Sequence, residues 1–181
     1  MILSDNEILK AIDEGRIFID PYDSDLVGPC SVDLRLDSVF RVYDSGPTVD
    51  FRSKGALDQS TRIVDTGGAP FEIRPGQFIL GQTIENLSVS SDLAGILEGK
   101  SSVARLGIIV HAAGLVNPGT GTVKPGKLTL EVYCMNVNPV FLYPGMQIVQ
   151  IMFMPLTGPA RVSYDKRESS RYVGQQEPDI R

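Results

Sequence analysis

Four groups of residues have types and spacings that can do chemistry. The first is the run Gly99-Lys100-Ser101-Ser102-Val103-Ala104-Arg105-Leu106-Gly107, which places two cations and two hydroxyls close together. If Ser101 opens a helical turn, free backbone N–H groups there suit phosphate oxygens. Lys100 and Arg105 then add charge-assisted hydrogen bonds. The spacing of a G-x-x-x-x-G-K-[ST] phosphate loop is missing. On spacing alone the run reads slightly better as a solvated turn with ordinary surface charges.

The second group is Lys127-Leu128-Thr129-Leu130-Glu131-Val132-Tyr133. Strand alternation puts Lys127, Thr129, Glu131 and Tyr133 on one face, with Leu128, Leu130, Val132 and Cys134 on the other. Glutamate in mid-strand is unfavourable by propensity. A carboxylate drawn part-way out of water holds its proton nearer neutrality, which suits a general base. An exposed Glu131 paired with Lys127 is the plainer alternative, and the residues alone favour it.

The third group is Val116-Asn117-Pro118-Gly119 and the Gly/Thr/Pro-rich stretch to Gly126, a turn-forming connection whose backbone can line a pocket for a planar ring. The fourth is Tyr164, Lys166, Arg167, then Ser170-Arg171-Tyr172-Val173-Gly174-Gln175-Gln176. Such a segment can close over a polyphosphate if the ligand's contacts offset the entropy of ordering it. Composition alone reads it as a mobile tail, from about residue 168.

These groups need elements to hold them. Ser4-Asp5-Asn6-Glu7 has the form of a capping box, and Ile8, Leu9 and Ile12 follow at helical spacing, with Gly15 as the stop. After this short N-terminal helix the pattern changes to short strands. They are expected at Ile17–Ile19, Ser31–Leu36, Val39–Tyr43, Gln77–Gln82, Ile84–Val89, Ala94–Leu97, Leu106–His111, Lys127–Tyr133 and Gln147–Met154, separated by turns such as Arg74-Pro75-Gly76 and Tyr143-Pro144-Gly145-Met146. Residues 44–70 read as long loops with short strands. Many short strands indicate a β-sandwich, jelly roll or barrel. With 181 residues, no internal repeat and no linker, residues 1–181 form one expected domain.

The net charge of −5 leaves no basic footprint for nucleic acid. No apolar run reaches the roughly 20 residues of a membrane-spanning helix. The N-terminus lacks a basic n-region and an apolar h-region, so a cytoplasmic protein is expected. Cys30 and Cys134 are expected to be buried free thiols. Zinc-dependent base deaminases need a His or Cys with a C-x-x-C pair and a Glu. Here there is one His, His111, and no C-x-x-C, so zinc is not expected. His111 follows Ile108-Ile109-Val110 and reads as a packed core residue rather than a catalytic one.

The four groups, in this order, resemble the dCTP deaminase family, the deaminating branch of the dUTPase-like superfamily. The likeness runs over most of the chain. It includes the Ile-Leu-Ser-Asp start, Ser31-Val32-Asp33-Leu34-Arg35-Leu36, the Gly99–Gly107 motif and Thr129-Leu130-Glu131. It continues through Pro144-Gly145-Met146-Gln147-Ile148-Val149-Gln150 and Arg171-Tyr172 with Gln175-Gln176. Lys-Ser-Ser-x-x-Arg-Leu-Gly followed by the strand glutamate is its most specific part.

The resemblance implies a distorted jelly-roll or β-barrel of the dUTPase-like type, assembled as a homotrimer with active sites between subunits. It implies hydrolytic deamination of dCTP to dUTP and ammonia, on the route to thymidylate. Glu131 would be the general base, Ser101 and the carbonyl of Ala113 would hold the attacking water, and Arg105 would orient Glu131 and stabilise the intermediate. Lys100, Ser102, Tyr164, Arg171 and Gln175 would bind the triphosphate, with Gln150 also on phosphate. Mg²⁺ would arrive with the nucleotide, and no protein metal site is implied. Asn117 stands where the family usually has Asp. It can still bond a sugar hydroxyl but is a poor base. The 120–126 loop is longer than usual, and Ala112 replaces a common Thr. Two alternatives follow: a bifunctional enzyme ending at dUMP and pyrophosphate, and a non-catalytic nucleotide-binding trimer.

Overall fold

The structure is a computed structural model that describes residues 1–46, 48, 50, 60–110 and 113–180. His111 and Ala112 therefore lie outside the described residues.

The helix α1 spans Asp5–Asp13 and buries Ile8 and Ala11. Its start is where the capping-box reading puts it, but the Ser4 hydroxyl makes no cap hydrogen bond. The helix is secured instead by its buried face and by Gly15, whose φ of 70° suits a residue without Cβ.

Twelve strands follow among the described residues: β1 (Ile17–Asp20), β2 (Val32–Arg35), β3 (Val39–Tyr43), β4 (Thr61–Asp65), β5 (Phe71–Ile73), β6 (Phe78–Val89), β7 (Leu93–Gly99), β8 (Ile108–Val110), β9 (Leu115–Val116), β10 (Gly126–Cys134), β11 (Val140–Leu142) and β12 (Gln147–Pro155). One sheet runs β4-β3-β6-β10-β8, with β1 also on β6; a second runs β2-β12-β7-β9; β5 pairs with β11. The mainly β architecture with one short N-terminal helix is as expected. Strand pairing does not close into a barrel among the described residues.

The strands expected at 77–82 and 84–89 are one strand, β6. Its burial does not alternate over Ile79–Thr83, where every residue is buried. The inward residues meet the core. The outward Leu80 and Gln82 are covered by the C-terminal segment and by the Asp37–Lys127 pair described below. That double cover hides the period-2 signal on which sequence reading relies. The core between the sheets is aliphatic with a few aromatics, including Phe40, Ile79, Leu130, Ile151 and Phe153, all at 0% exposure. Cys134 is buried as expected, but Cys30 is exposed, because it sits in the turn before β2 rather than in a strand.

One charged pair is built into this frame. Glu85 is 1% exposed and accepts from both the backbone N–H (2.9 Å) and Nε (2.7 Å) of Arg35. Removing the carboxylate strands a largely covered guanidinium. Glu85→Ala is therefore expected to cost about 3 kcal/mol of stability, measured by urea denaturation; a loss below about 0.5 kcal/mol, as for a plain surface change, would contradict this.

Candidate active site

Glu131 lies on the outer face of the large sheet. Along β10, Leu130 and Val132 are buried in the core while Thr129 and Glu131 are half-exposed on the opposite face. The strand alternation read from sequence thus holds. Register puts Glu131 opposite Leu80 on β6, and Leu80 opposite Arg41 on β3. A bulge between Lys127 and Thr129 interrupts the pairing just before this row.

Lys127 is not the partner of Glu131. Its ammonium binds Asp37, 2.5 Å away, which also accepts from the Gln82 amide at 2.8 Å. Burial pushes the Asp37 carboxyl up, but bonds from Lys127, Gln82 and the Ser38 N–H outweigh it and hold the group below its usual range. With Lys127 taken by Asp37, the plain alternative of an exposed Lys127–Glu131 pair does not describe this strand. Oε2 of Glu131 is sealed from solvent.

A cavity of about 580 Å³ opens over this face. That volume suits a nucleotide-sized ligand. Six of the residues to which the resemblance gives site roles line it: Glu131, Ala113, Asn117, Tyr164, Arg171 and Gln175. They come from β10, the connection before β9, the turn after it, and the C-terminal segment. Sequence reasoning missed its aromatic wall. Tyr43 and Phe78 line the cavity with ring centroids 5.4 Å apart. Burial pushes the Tyr43 phenol up; Arg41 opposes this, and Glu131 and Tyr172 reinforce it. The alternation of β3 puts Arg41 and Tyr43 on one face, but which strand lies beside β3 is set by pairing that local pattern does not encode.

The 120–126 loop is pinned by side-chain contacts from the C-terminal segment. The Asp165 carboxylate accepts from the backbone N–H groups of Gly121 (3.2 Å) and Val123 (2.9 Å). Gly119 (φ 79°) lies so close to Ser163 that a Cβ would fall 2.1 Å from the serine Cβ. These contacts join the Asn117 turn to Tyr164, whose N–H donates to the Pro118 carbonyl at 2.8 Å.

Lys100, Ser101, Ser102, Arg105 and Gln150 do not line this cavity. A one-turn helix, α2, does begin at Ser101 and runs to Ala104, capped by Lys100. It follows β7 in the smaller sheet, and Ser101, Ser102 and Arg105 face solvent. Lys100 pairs with Asp33, and Gln150 accepts from the Ser31 hydroxyl at 3.3 Å. Within one chain the two halves of the expected site are separate.

The C-terminal segment lies across the outer face. The Lys127 N–H donates to the Gln175 carbonyl (2.9 Å), the Gln175 amide donates to Thr129, and the Gln176 amide donates to Asn86 (2.9 Å). No helix among the described residues is long and apolar enough to cross a membrane.

The family model for dCTP deaminase-like proteins matches residues 2–156. A protein of Mycobacterium sp. (strain KMS), "dCTP deaminase, dUMP-forming", is 42% identical over 181 residues, covering 98% of this chain and 93% of its own. A protein of the same name from Corynebacterium diphtheriae is 39% identical, covering 98% and 95%. Among solved structures, the 2'-deoxycytidine 5'-triphosphate deaminase from Agrobacterium tumefaciens superposes with a TM-score of 0.62 at 26% identity, over 84% of this chain. The chain spans about half, 47%, of that Agrobacterium chain. A family match over most of the length, relatives near 40% identity and a shared β fold lead to one conclusion: the chain belongs to the dCTP deaminase-like family.

Proposed function

We propose that this protein hydrolyses the exocyclic C4–N bond of dCTP, with Glu131 as general base. The placement of Glu131 carries this reading: its carboxylate lies on a strand at the wall of a nucleotide-sized cavity, with one oxygen sealed from water. Glu131 takes a proton from a water held by the Ala113 carbonyl and by Ser101. The oxygen adds to C4, the C4–N bond breaks, and the proton passes to the departing ammonia. Arg105 orients the carboxylate and stabilises the polar intermediate. Tyr164, Arg171 and Gln175, with Lys100 and Ser102, hold the triphosphate, which enters as its Mg²⁺ complex; Gln150 supports the phosphate side and Asn117 the sugar.

The separation of the two halves within a protomer supports a site completed by a second copy. A triphosphate is strongly anionic, while the cavity of one protomer offers Arg171 and a Lys127 already bound to Asp37. Arg105 of a neighbouring copy supplies further positive charge, with Lys100, itself bound to Asp33, beside it. A closed trimer is the simplest symmetric arrangement in which every site receives both halves by a head-to-tail contact.

The relatives' name moves the end product from the dUTP expected above to dUMP. The net reaction is then dCTP plus two waters giving dUMP, pyrophosphate and ammonia. Asn117 favours the shorter reaction, since an amide cannot serve as base for the second water. Incubation with dCTP and Mg²⁺, with every product identified, tests both points. Ammonia and pyrophosphate in equal amounts are expected. Ammonia without pyrophosphate would end the reaction at dUTP. Nucleotide binding with no ammonia would leave only the non-catalytic trimer.

A further inference from the structure

The segment from Gln175 to Ile180 crosses the outer face from β10 over β6 to β3. Gln175 meets Lys127 and Thr129 on β10, and Gln176 meets Asn86 on β6. A further anchor is on β3: Arg41 donates its Nε to the Pro178 carbonyl at 2.6 Å. The same guanidinium donates Nη1 to the Thr61 hydroxyl on β4 at 3.0 Å. Arg41 is thus held from two sides, and its planar fork presents Nε in a fixed direction. Beyond Pro178, Asp179 and Ile180 line the cavity that holds Glu131 and Tyr43. Arg41 and Glu131 sit in one register row with only Leu80 between them, so their Cα atoms are about 10 Å apart by strand spacing.

We propose that Arg41 is a positioning residue for the reaction assigned above: it latches Pro178 so that Asp179 and Ile180 form the wall of the Glu131 cavity. The proposal rests on the deaminase reading for its kinetic consequences but not for the latch itself. The latch is a charge-assisted bond to a backbone carbonyl, so any side chain at 178 can be held, but the cation at 41 cannot be dispensed with. With the latch open, residues 178–180 leave the cavity. Substrate binding then weakens, while the proton transfers at Glu131 keep their geometry.

Two measurements test this. First, hydrogen exchange of the peptide covering residues 174–180 is followed in nucleotide-free protein. Arg41→Met should speed its exchange several-fold, and Arg41→Lys should recover part of the protection. Second, kinetics with dCTP are compared for Arg41→Met, for the chain lacking residues 178–181, and for both together. Each single change should raise KM on the order of tenfold, with kcat within about twofold, and the combination should add nothing to the truncation. Unchanged exchange in Arg41→Met would overturn the latch. So would KM effects that multiply in the double variant. If the protein proves not to deaminate dCTP, the exchange comparison still decides the latch, with the dCTP dissociation constant replacing KM.

Discussion

Glu131→Gln is expected to fold, to bind dCTP, and to release ammonia about 10²–10⁴-fold more slowly than the parent protein. Glutamine keeps the shape of the side chain and its contacts with the cavity wall. It cannot accept the proton of the attacking water, nor return it to the leaving amine. The variant therefore separates binding from chemistry. Folding should survive because Glu131 is not part of the core; Leu130 and Val132 on the other face of β10 carry the packing. Isothermal titration with dCTP and an ammonia assay on the same sample read the two quantities. Turnover at the parental rate would remove Glu131 from the mechanism. Loss of binding together with turnover would make it a structural residue of the pocket.

Two inactive variants should restore each other when mixed. Arg105→Ala alone and Glu131→Gln alone are each expected to be nearly inactive. If one copy supplies Glu131 and a neighbour supplies Arg105 and Ser101, hybrid assemblies contain some sites intact on both sides. Random reassembly of a one-to-one mixture should regain about a quarter of the parental activity in a head-to-tail ring. The structural basis is the separation seen in one protomer, with Glu131 over the large sheet and α2 at the end of β7 in the small one. Activity no higher than that of either variant alone would mean that the halves do not meet between copies. A monomer by sedimentation would say the same.

Much of this was readable in the residues. Alternation along Lys127–Tyr133 placed Glu131 opposite the core-facing Leu130 and Val132, because a strand whose two faces see different surroundings prints a period of 2. A helical turn at Ser101 entered only as a condition for phosphate binding, and α2 does begin there. The failures have physical causes too. β6 is covered on both faces over residues 79–83, which erased its period and split it in two. β5 and β11 are three residues each, too short for any period to appear. Tyr43 and Phe78 were missed as cavity walls because cross-strand pairing, not local sequence, brings β6 beside β10 and β3 beside β6. The pairing of Lys127 with Asp37, 90 residues apart, is likewise a product of topology. So is the Glu85–Arg35 pair, whose members are 50 residues apart.

The most direct measurement is a crystal structure of Glu131→Gln with dCTP and Mg²⁺. The cytosine ring should lie with C4 facing the residue 131 side chain. A water should sit between them on the Ala113 carbonyl, and Ser101 and Arg105 should reach in from a neighbouring copy. A cytosine bound elsewhere, or a residue 131 facing bulk water with no second copy near it, would contradict the account.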